Sequence, residues 1–155
     1  MKFLELKELI SDGESSTMEF KRKIPSIEKI AKEISAFANT IGGYLVIGID
    51  DDGSLVGIKS EKEDIDSIEK ACMFSIEPPI NPSIEIVNFK NKDFVVAYIP
   101  ESNHKPHFIN IFDEETKQNQ KRVYIRVGEK SVIASREMTR ILRSEERRVG
   151  KECRS

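Results

Sequence analysis

Cysteine and long apolar runs are both scarce in this chain, and each absence excludes a class of protein. The 155 residues include two cysteines, Cys72 and Cys153, which lie far apart and show no Cys-x-x-Cys or Cys/His spacing. We therefore expect neither a disulfide framework nor a zinc site. The longest apolar runs, YLVIGI and FVVAYI, are far shorter than the ~20 residues that cross a bilayer, and the first residues lack the apolar core of a signal peptide. No membrane partner is expected, and a cytoplasmic location follows by default.

A large net charge is also missing, although the charges are unevenly distributed. The formal net charge is −2, which by itself does not indicate a nucleic-acid partner. Residues 117–140 nevertheless carry seven Lys and Arg residues against Glu129 and Glu137, a local charge of +5. Such a basic stripe is suited to following a phosphate backbone. A solvated strand and helix face would carry the same charges, so the sequence leaves both interpretations open.

The apolar spacing predicts one α+β domain, a mixed α/β arrangement with a central mixed, mostly antiparallel sheet and flanking helices. Helices are expected over 3–11, from Pro25–Ser26 to the glycine pair 42–43, over 61–76 and over 136–142. Strands are expected over 17–23, 44–50, 55–58, 83–89, 94–100, 107–112 and 121–127.

The last stretch, RSEERRVGKECRS, breaks this pattern because it has no apolar periodicity. It resembles the vector- or adapter-derived tails that are sometimes appended to open reading frames. We therefore expect a domain over 1–142 and a non-native or disordered tail over 143–155.

Alternating residues in the segment ESSTMEFK indicate a half-buried strand. Met18 and Phe20 point to one face, and Glu19 and Lys21 point to the other. The two charged side chains are therefore expected to lie together, roughly 6.5–7 Å apart along the strand.

Two further carboxylates can join this pair. Glu14 lies five residues before Glu19 in a loop-like stretch that can bend back, and Asp50 ends the next strand. If the two strands are neighbours, Glu14, Glu19 and Asp50 converge beside Lys21. Mg²⁺ prefers carboxylate oxygens, and a bound divalent ion can activate water for phosphodiester hydrolysis. Spacing alone does not distinguish such a site from the solvated edge of a sheet.

Four segments together carry a resemblance to a known family: GESSTMEFK, ISAFANTIGGYLVIGIDDDGSLVGI, HKPHF and YIRVGEKS. Over about residues 10–135 the chain resembles the Schlafen AlbA-like domain family. The resemblance implies a compact α/β domain of bacterial and archaeal proteins, described as a DNA-binding or nucleotide-binding regulator module. The same domain recurs in vertebrate Schlafen proteins, some of which cleave tRNA and rRNA with a three-carboxylate site.

Carried over residue by residue, the resemblance implies a catalytic and metal-binding site. Glu14 and Glu19 match the spaced pair of carboxylates, Asp50 matches the third, and Lys21 matches the lysine of the motif. The implied activity is a Mg²⁺- or Mn²⁺-dependent endoribonuclease, a hydrolase acting on tRNA or other structured RNA. Because the vertebrate proteins pair two such lobes, a homodimer is expected by analogy.

Six residues are candidate contacts to a nucleic acid. Arg126 matches the family's Arg-x-Gly, two flank Pro106, and the others belong to the basic stripe: Lys105, His107, Lys121, Arg122, Arg126 and Lys130. Loop packing for His107 and an exposed strand position for Arg126 remain open alternatives. Asn39 either touches substrate or ends its helix, and Gly42–Gly43 either admit a phosphate or stop the helix.

Two other functions compete with RNA cleavage. One is a non-catalytic DNA-binding transcriptional regulator module; three carboxylates argue against it, because they repel phosphate unless a metal lies between them. The other is a nucleotide (ATP)-binding or protein-interaction module, against which stands the absence of a GxxxxGK[ST] motif.

Overall fold

The computed structural model describes the backbone of residues 2–153 and the side chains of residues 2–145. Its helices are α1 (Phe3–Ile10), α2 (Ile27–Asn39), α3 (Glu61–Lys70) and α4 (Arg136–Cys153). Its strands are β1 (Met18–Lys21), β2 (Gly43–Ile47), β3 (Ile76–Glu77), β4 (Ser83–Phe89), β5 (Lys92–Ile99), β6 (Phe108–Asp113), β7 (Gln118–Arg122), β8 (Tyr124–Val127) and β9 (Lys130–Ile133).

The central sheet is mixed and mostly antiparallel, with strand order β1-β2-β5-β4. Strands β1 and β2 run parallel, because α2 connects them as a crossover, whereas β5 pairs antiparallel with both β2 and β4. Two smaller antiparallel sheets, β3-β6-β7 and β8-β9, complete the described strands. The prediction of an α+β domain with flanking helices is confirmed.

The two faces of the central sheet pack against different helices. Leu6 of α1 lies in one buried cluster with Phe20 and Val46. Phe37 of α2 lies in the other, larger cluster with Leu45 and other residues of β2 and β5. The larger cluster therefore defines the sheet face that α2 covers.

Helix α2 begins and ends where the sequence predicts. The Ser26 hydroxyl caps its start by accepting a hydrogen bond from Lys29 N at 3.1 Å. At the other end, Gly42 N donates to Phe37 O at 2.8 Å, with Gly42 at φ +79°. The helix therefore ends just before the glycine pair, as the helix-stop alternative predicts.

Three predicted elements differ from the structure. Residues 55–58 do not form a regular strand. Leu55 makes a single antiparallel bridge with Ile49, after which Val56 N and Gly57 N both donate to Gly48 O. The helix expected over 61–76 ends at Lys70; a π-helical turn, Ala71–Ser75, then leads into β3.

The strand expected over 121–127 is divided between two strands. Lys121 and Arg122 end β7, which pairs antiparallel with β6 as a hairpin, whereas residues 124–127 form β8 and pair with β9.

The C-terminal helix is longer than expected. Helix α4 continues through residues 143–153, which we expected to be a tail; residues 154–155 of that segment lie outside the described residues. None of the described helices is both long enough and apolar enough to span a membrane.

Candidate functional site

Strand β1 presents Glu19 and Lys21 to the side of the sheet that α2 covers. Met18 and Phe20 pack in the cluster on the α1 side, so the alternating residues point the other way. The Lys21 ammonium lies 3.1 Å from Oε1 of Glu19. Their predicted shared face is confirmed.

Arg126 lies at the centre of a group of charges around Glu19. Its Nη1 donates to Oε2 of Glu19 at 3.1 Å and to Oε2 of Glu33 at 2.8 Å. Ser131 accepts a hydrogen bond from the same nitrogen at 3.1 Å and donates to Glu33 at 2.6 Å. The side chain of Arg126 is 0% exposed, so the network belongs to the interior of the domain.

Burial and like charge raise the pKa of Glu19. Loss of hydration is the larger cause and the charge of Glu33 the next, while Lys21 acts in the opposite direction. Glu14 adds a smaller upward contribution to the pKa of Glu19. Its Oε1 accepts a hydrogen bond from Phe20 N at 3.1 Å, which holds Glu14 beside β1. The structure therefore brings Glu14, Glu19 and Lys21 together, and adds Glu33.

Asp50 lies apart from this group. Glu19 pairs with Leu45 in the parallel register, and Asp50 follows the end of β2. One of its carboxylate oxygens accepts a hydrogen bond from Asp51 N at 2.9 Å in the following turn. Within the described part of the chain, no three His, Cys, Asp or Glu side chains are arranged to hold a metal ion.

The carboxylates as arranged do not fit Mg²⁺ or Mn²⁺. These ions take several oxygen ligands, which must be free to turn their lone pairs to the metal. One oxygen of Glu19 faces the Lys21 ammonium and the other faces the Arg126 guanidinium. A divalent cation at Glu19 would therefore meet two positive groups already in contact with the same carboxylate.

A second feature is a basic cleft between the β6–β7 hairpin and α4, with a volume of about 890 Å³. Five cationic side chains line it: Lys121, Arg122, Arg136, Arg140 and Arg143. Among the described residues that line the cleft, none is acidic. Phe108 lies on its wall, with the Lys121 ammonium 4.5 Å from the ring centroid. The basic cleft thus concentrates positive charge in one concave surface.

The six predicted nucleic-acid contacts separate into two groups. Lys121 and Arg122 line the basic cleft, and Lys130 is exposed at the start of β9. Lys105, His107 and Arg126 are buried. For all six residues, contact with a nucleic acid stays a prediction.

The buried loop residues anchor the segment between β5 and β6. The Lys105 ammonium lies 2.7 Å from a carboxylate oxygen of Glu101. The two ring nitrogens of His107 lie 2.6 Å from Pro78 O and 2.5 Å from Oγ of Ser102. These contacts agree with the alternative in which His107 packs the loop rather than contacting a nucleic acid.

Sequence reasoning missed Glu33. It counted Arg136 and Arg140 in the basic stripe but did not name them among the six candidate contacts. Glu33 lies four residues before Phe37, on the side of α2 that carries part of the apolar stripe. A carboxylate beside an apolar stripe is a candidate for a buried ion pair, and this was the signal that the sequence offered. Arg136 and Arg140 are likewise four apart, which places them on one face of α4.

Among the solved structures similar to this chain are the following two. The DIP2311 protein from Corynebacterium diphtheriae matches with a TM-score of 0.61 and 20% identity, over 92% of this chain and 31% of that protein. This chain therefore spans about a third of that relative. The N-terminal domain of a RecG-related protein from Nitrosomonas europaea matches with a TM-score of 0.53 and 23% identity, over 85% of this chain and 86% of that domain.

A family model covers most of the same region. The model described as Schlafen, AlbA_2 matches residues 14–135, which includes β1, the glycine pair after α2 and the Arg126 motif. Both structural neighbours share the fold. The chain therefore belongs to the Schlafen AlbA_2 family.

Proposed function

We propose that this chain is a nucleic-acid-binding domain that holds backbone phosphates in the basic cleft. The observation that carries the proposal is the convergence of five cationic side chains from β7 and α4, with no acidic residue among the described residues that line the cleft. Cations grouped in a cleft raise the local concentration of a polyanion, and each phosphate contact releases counterions. The net charge of −2 does not oppose this, because the charges are segregated.

The comparisons agree with such a partner. The structural neighbour from N. europaea is named for its relation to RecG, an ATP-dependent DNA helicase. From that name we infer for this chain only that its partner is a nucleic acid. Choice between RNA and DNA depends on contacts beyond phosphates, because phosphate contacts alone do not read sequence.

Removing two arginines from α4 should weaken the salt dependence of binding. For Arg136→Ala/Arg140→Ala we expect the slope of log K against log salt to become shallower by about 1.4 to 1.8, the loss of two phosphate contacts on single-stranded or duplex nucleic acid. Fluorescence anisotropy with a labelled tRNA and a labelled DNA duplex, each over a range of salt concentrations, measures this slope.

The matched control is Lys29→Ala/Lys62→Ala, which removes the same charge from exposed positions on α2 and α3. Its slope should stay at the wild-type value. An equal decrease of this slope in the two double variants would show that net charge, rather than the basic cleft, drives binding. The same titrations separate an RNA partner from a DNA regulator module, and stabilisation by ATP without any response to nucleic acid would favour a nucleotide-binding module.

Metal-dependent cleavage of RNA is the second candidate function. The adjacency of Glu14 and Glu19 next to Lys21 supports it, and the pairing of both Glu19 oxygens with cations opposes it. We expect binding of a tRNA pool without cleavage in either Mn²⁺ or EDTA. Products that form only with Mn²⁺ and disappear in Glu19→Gln, but persist in the exposed control Glu61→Gln, would instead establish an endoribonuclease. The homodimer and the cytoplasmic location stay predictions.

A further inference from the structure

The buried centre between β1, α2 and β8 is filled by the end of one arginine side chain. Nη1 of Arg126 contacts Glu19 at 3.1 Å and Glu33 at 2.8 Å. The guanidinium carbon lies 4.7 Å from the centroid of the Phe37 ring. Carboxylates at the edge and an aromatic ring at the face are partners suited to a planar guanidinium.

The charges of the centre nearly balance when Arg126 is counted. Glu19 and Glu33 are offset by Arg126 and Lys21, and half-buried Glu14 leaves one excess negative charge at the edge. A divalent cation added to these side chains would turn the one excess negative charge into one excess positive charge. To enter, it would also have to displace a hydrogen-bonded guanidinium and leave that charge buried without partners, which is strongly unfavourable.

Arg126 also connects three segments of the chain. Its Nη2 donates to Ser15 O at 2.6 Å, in the loop before β1. Its backbone N donates to the hydroxyl of Thr40 at 3.0 Å, at the end of α2. Its buried Nε makes no hydrogen bond to the described residues. The two terminal nitrogens of Arg126 therefore make all the hydrogen bonds of the guanidinium to the described residues. These bonds link β8 to β1 and to α2.

We propose that this centre is a guanidinium site occupied by the chain's own Arg126, and that it accepts a free guanidinium ion or a divalent cation only after Arg126 is removed. The proposal goes beyond nucleic-acid binding and does not depend on it. In this proposal the guanidinium of Arg126 neutralises Glu19, the carboxylate that the resemblance assigns to a metal ion.

Thermal unfolding with added cations tests the proposal. Arg126→Ala should lower the Tm by roughly 10 °C, because Glu19 and Glu33 lose their buried partner. Millimolar guanidinium chloride or MnCl₂ should restore part of this loss, and neither should move the Tm of the wild type. The matched control is Arg122→Ala, a partly exposed arginine of the basic cleft, whose Tm should not respond to guanidinium.

Two outcomes would overturn the proposal. The first is calorimetric binding of Mn²⁺ to the wild-type chain that disappears in Glu19→Gln, a measurement that does not rely on any destabilised variant. The second is wild-type stability in Arg126→Lys, since lysine supplies the charge without the planar fork of donors. If Arg126→Ala does not fold in plain buffer, this second variant and the wild-type calorimetry decide the question.

Discussion

Asn39→Leu should lower the free energy of unfolding by about 3–5 kcal/mol, since three hydrogen-bonding groups of the interior lose their partner. Asn39 ends α2 and is 2% exposed. Its amide nitrogen donates to His107 O and Tyr124 O, both at 2.9 Å, and its oxygen accepts from His107 N at 2.7 Å. Leucine has a similar size but cannot satisfy these backbone groups, each of which costs about 1–3 kcal/mol when buried unpaired.

Urea denaturation of the purified domain measures the loss. Asn103→Leu, an exposed position in the loop that precedes His107, is the matched control and should change stability by no more than about 0.5 kcal/mol. A loss below about 1 kcal/mol in Asn39→Leu would mean that the three bonds form with water or with other groups instead.

The side chain of Asn39 joins α2 to two other segments, the loop before β6 and strand β8. Its side-chain bonds run to other segments rather than to the end of its own helix, and contact with a substrate stays a prediction.

Local rules explain why part of the site was predictable. Alternation in a strand requires only neighbouring residues, so MEFK was enough to place Glu19 and Lys21 together and opposite Phe20. The beginning of α2 at Ser26 and its end before Gly42 follow from capping and from glycine's access to positive φ. These features depend on contacts within a few residues.

Contacts between distant segments explain what was missed. Arg126 and Glu19 meet across 107 residues of sequence, and an exposed strand arginine has the same local pattern as a buried one. The burial of Lys105 depends on a carboxylate of its own loop, which sequence spacing does not show to be folded inward. Asp50 follows a strand end as predicted, but the strand register carries it past Glu19. Local pattern therefore paired Glu19 with Lys21 but could not show the partners that come from distant segments.

The glycine pair provides a test of whether this turn is structural or holds a phosphate. Gly42 has φ +79°, and a Cβ there would lie 2.7 Å from Ile99 O and 2.8 Å from Glu101 N. Both neighbours are backbone atoms, so they cannot rotate away. We expect Gly42→Ala to lower the free energy of unfolding by about 2–5 kcal/mol, through left-handed strain of about 1–2 kcal/mol and overpacking of about 1–3 kcal/mol.

Gly53→Ala separates these two contributions. Gly53 has φ +86°, and a Cβ there would meet no atom within 4 Å, so only the strain of about 1–2 kcal/mol should remain. Urea denaturation of both variants measures the difference, and anisotropy with labelled RNA measures binding by the folded fraction. A Gly42→Ala variant of wild-type stability that no longer binds RNA would assign this turn to phosphate contact. Because the backbone of β5 and of the following loop already fills the space beside Gly42, we expect loss of stability with the RNA affinity of the folded protein retained.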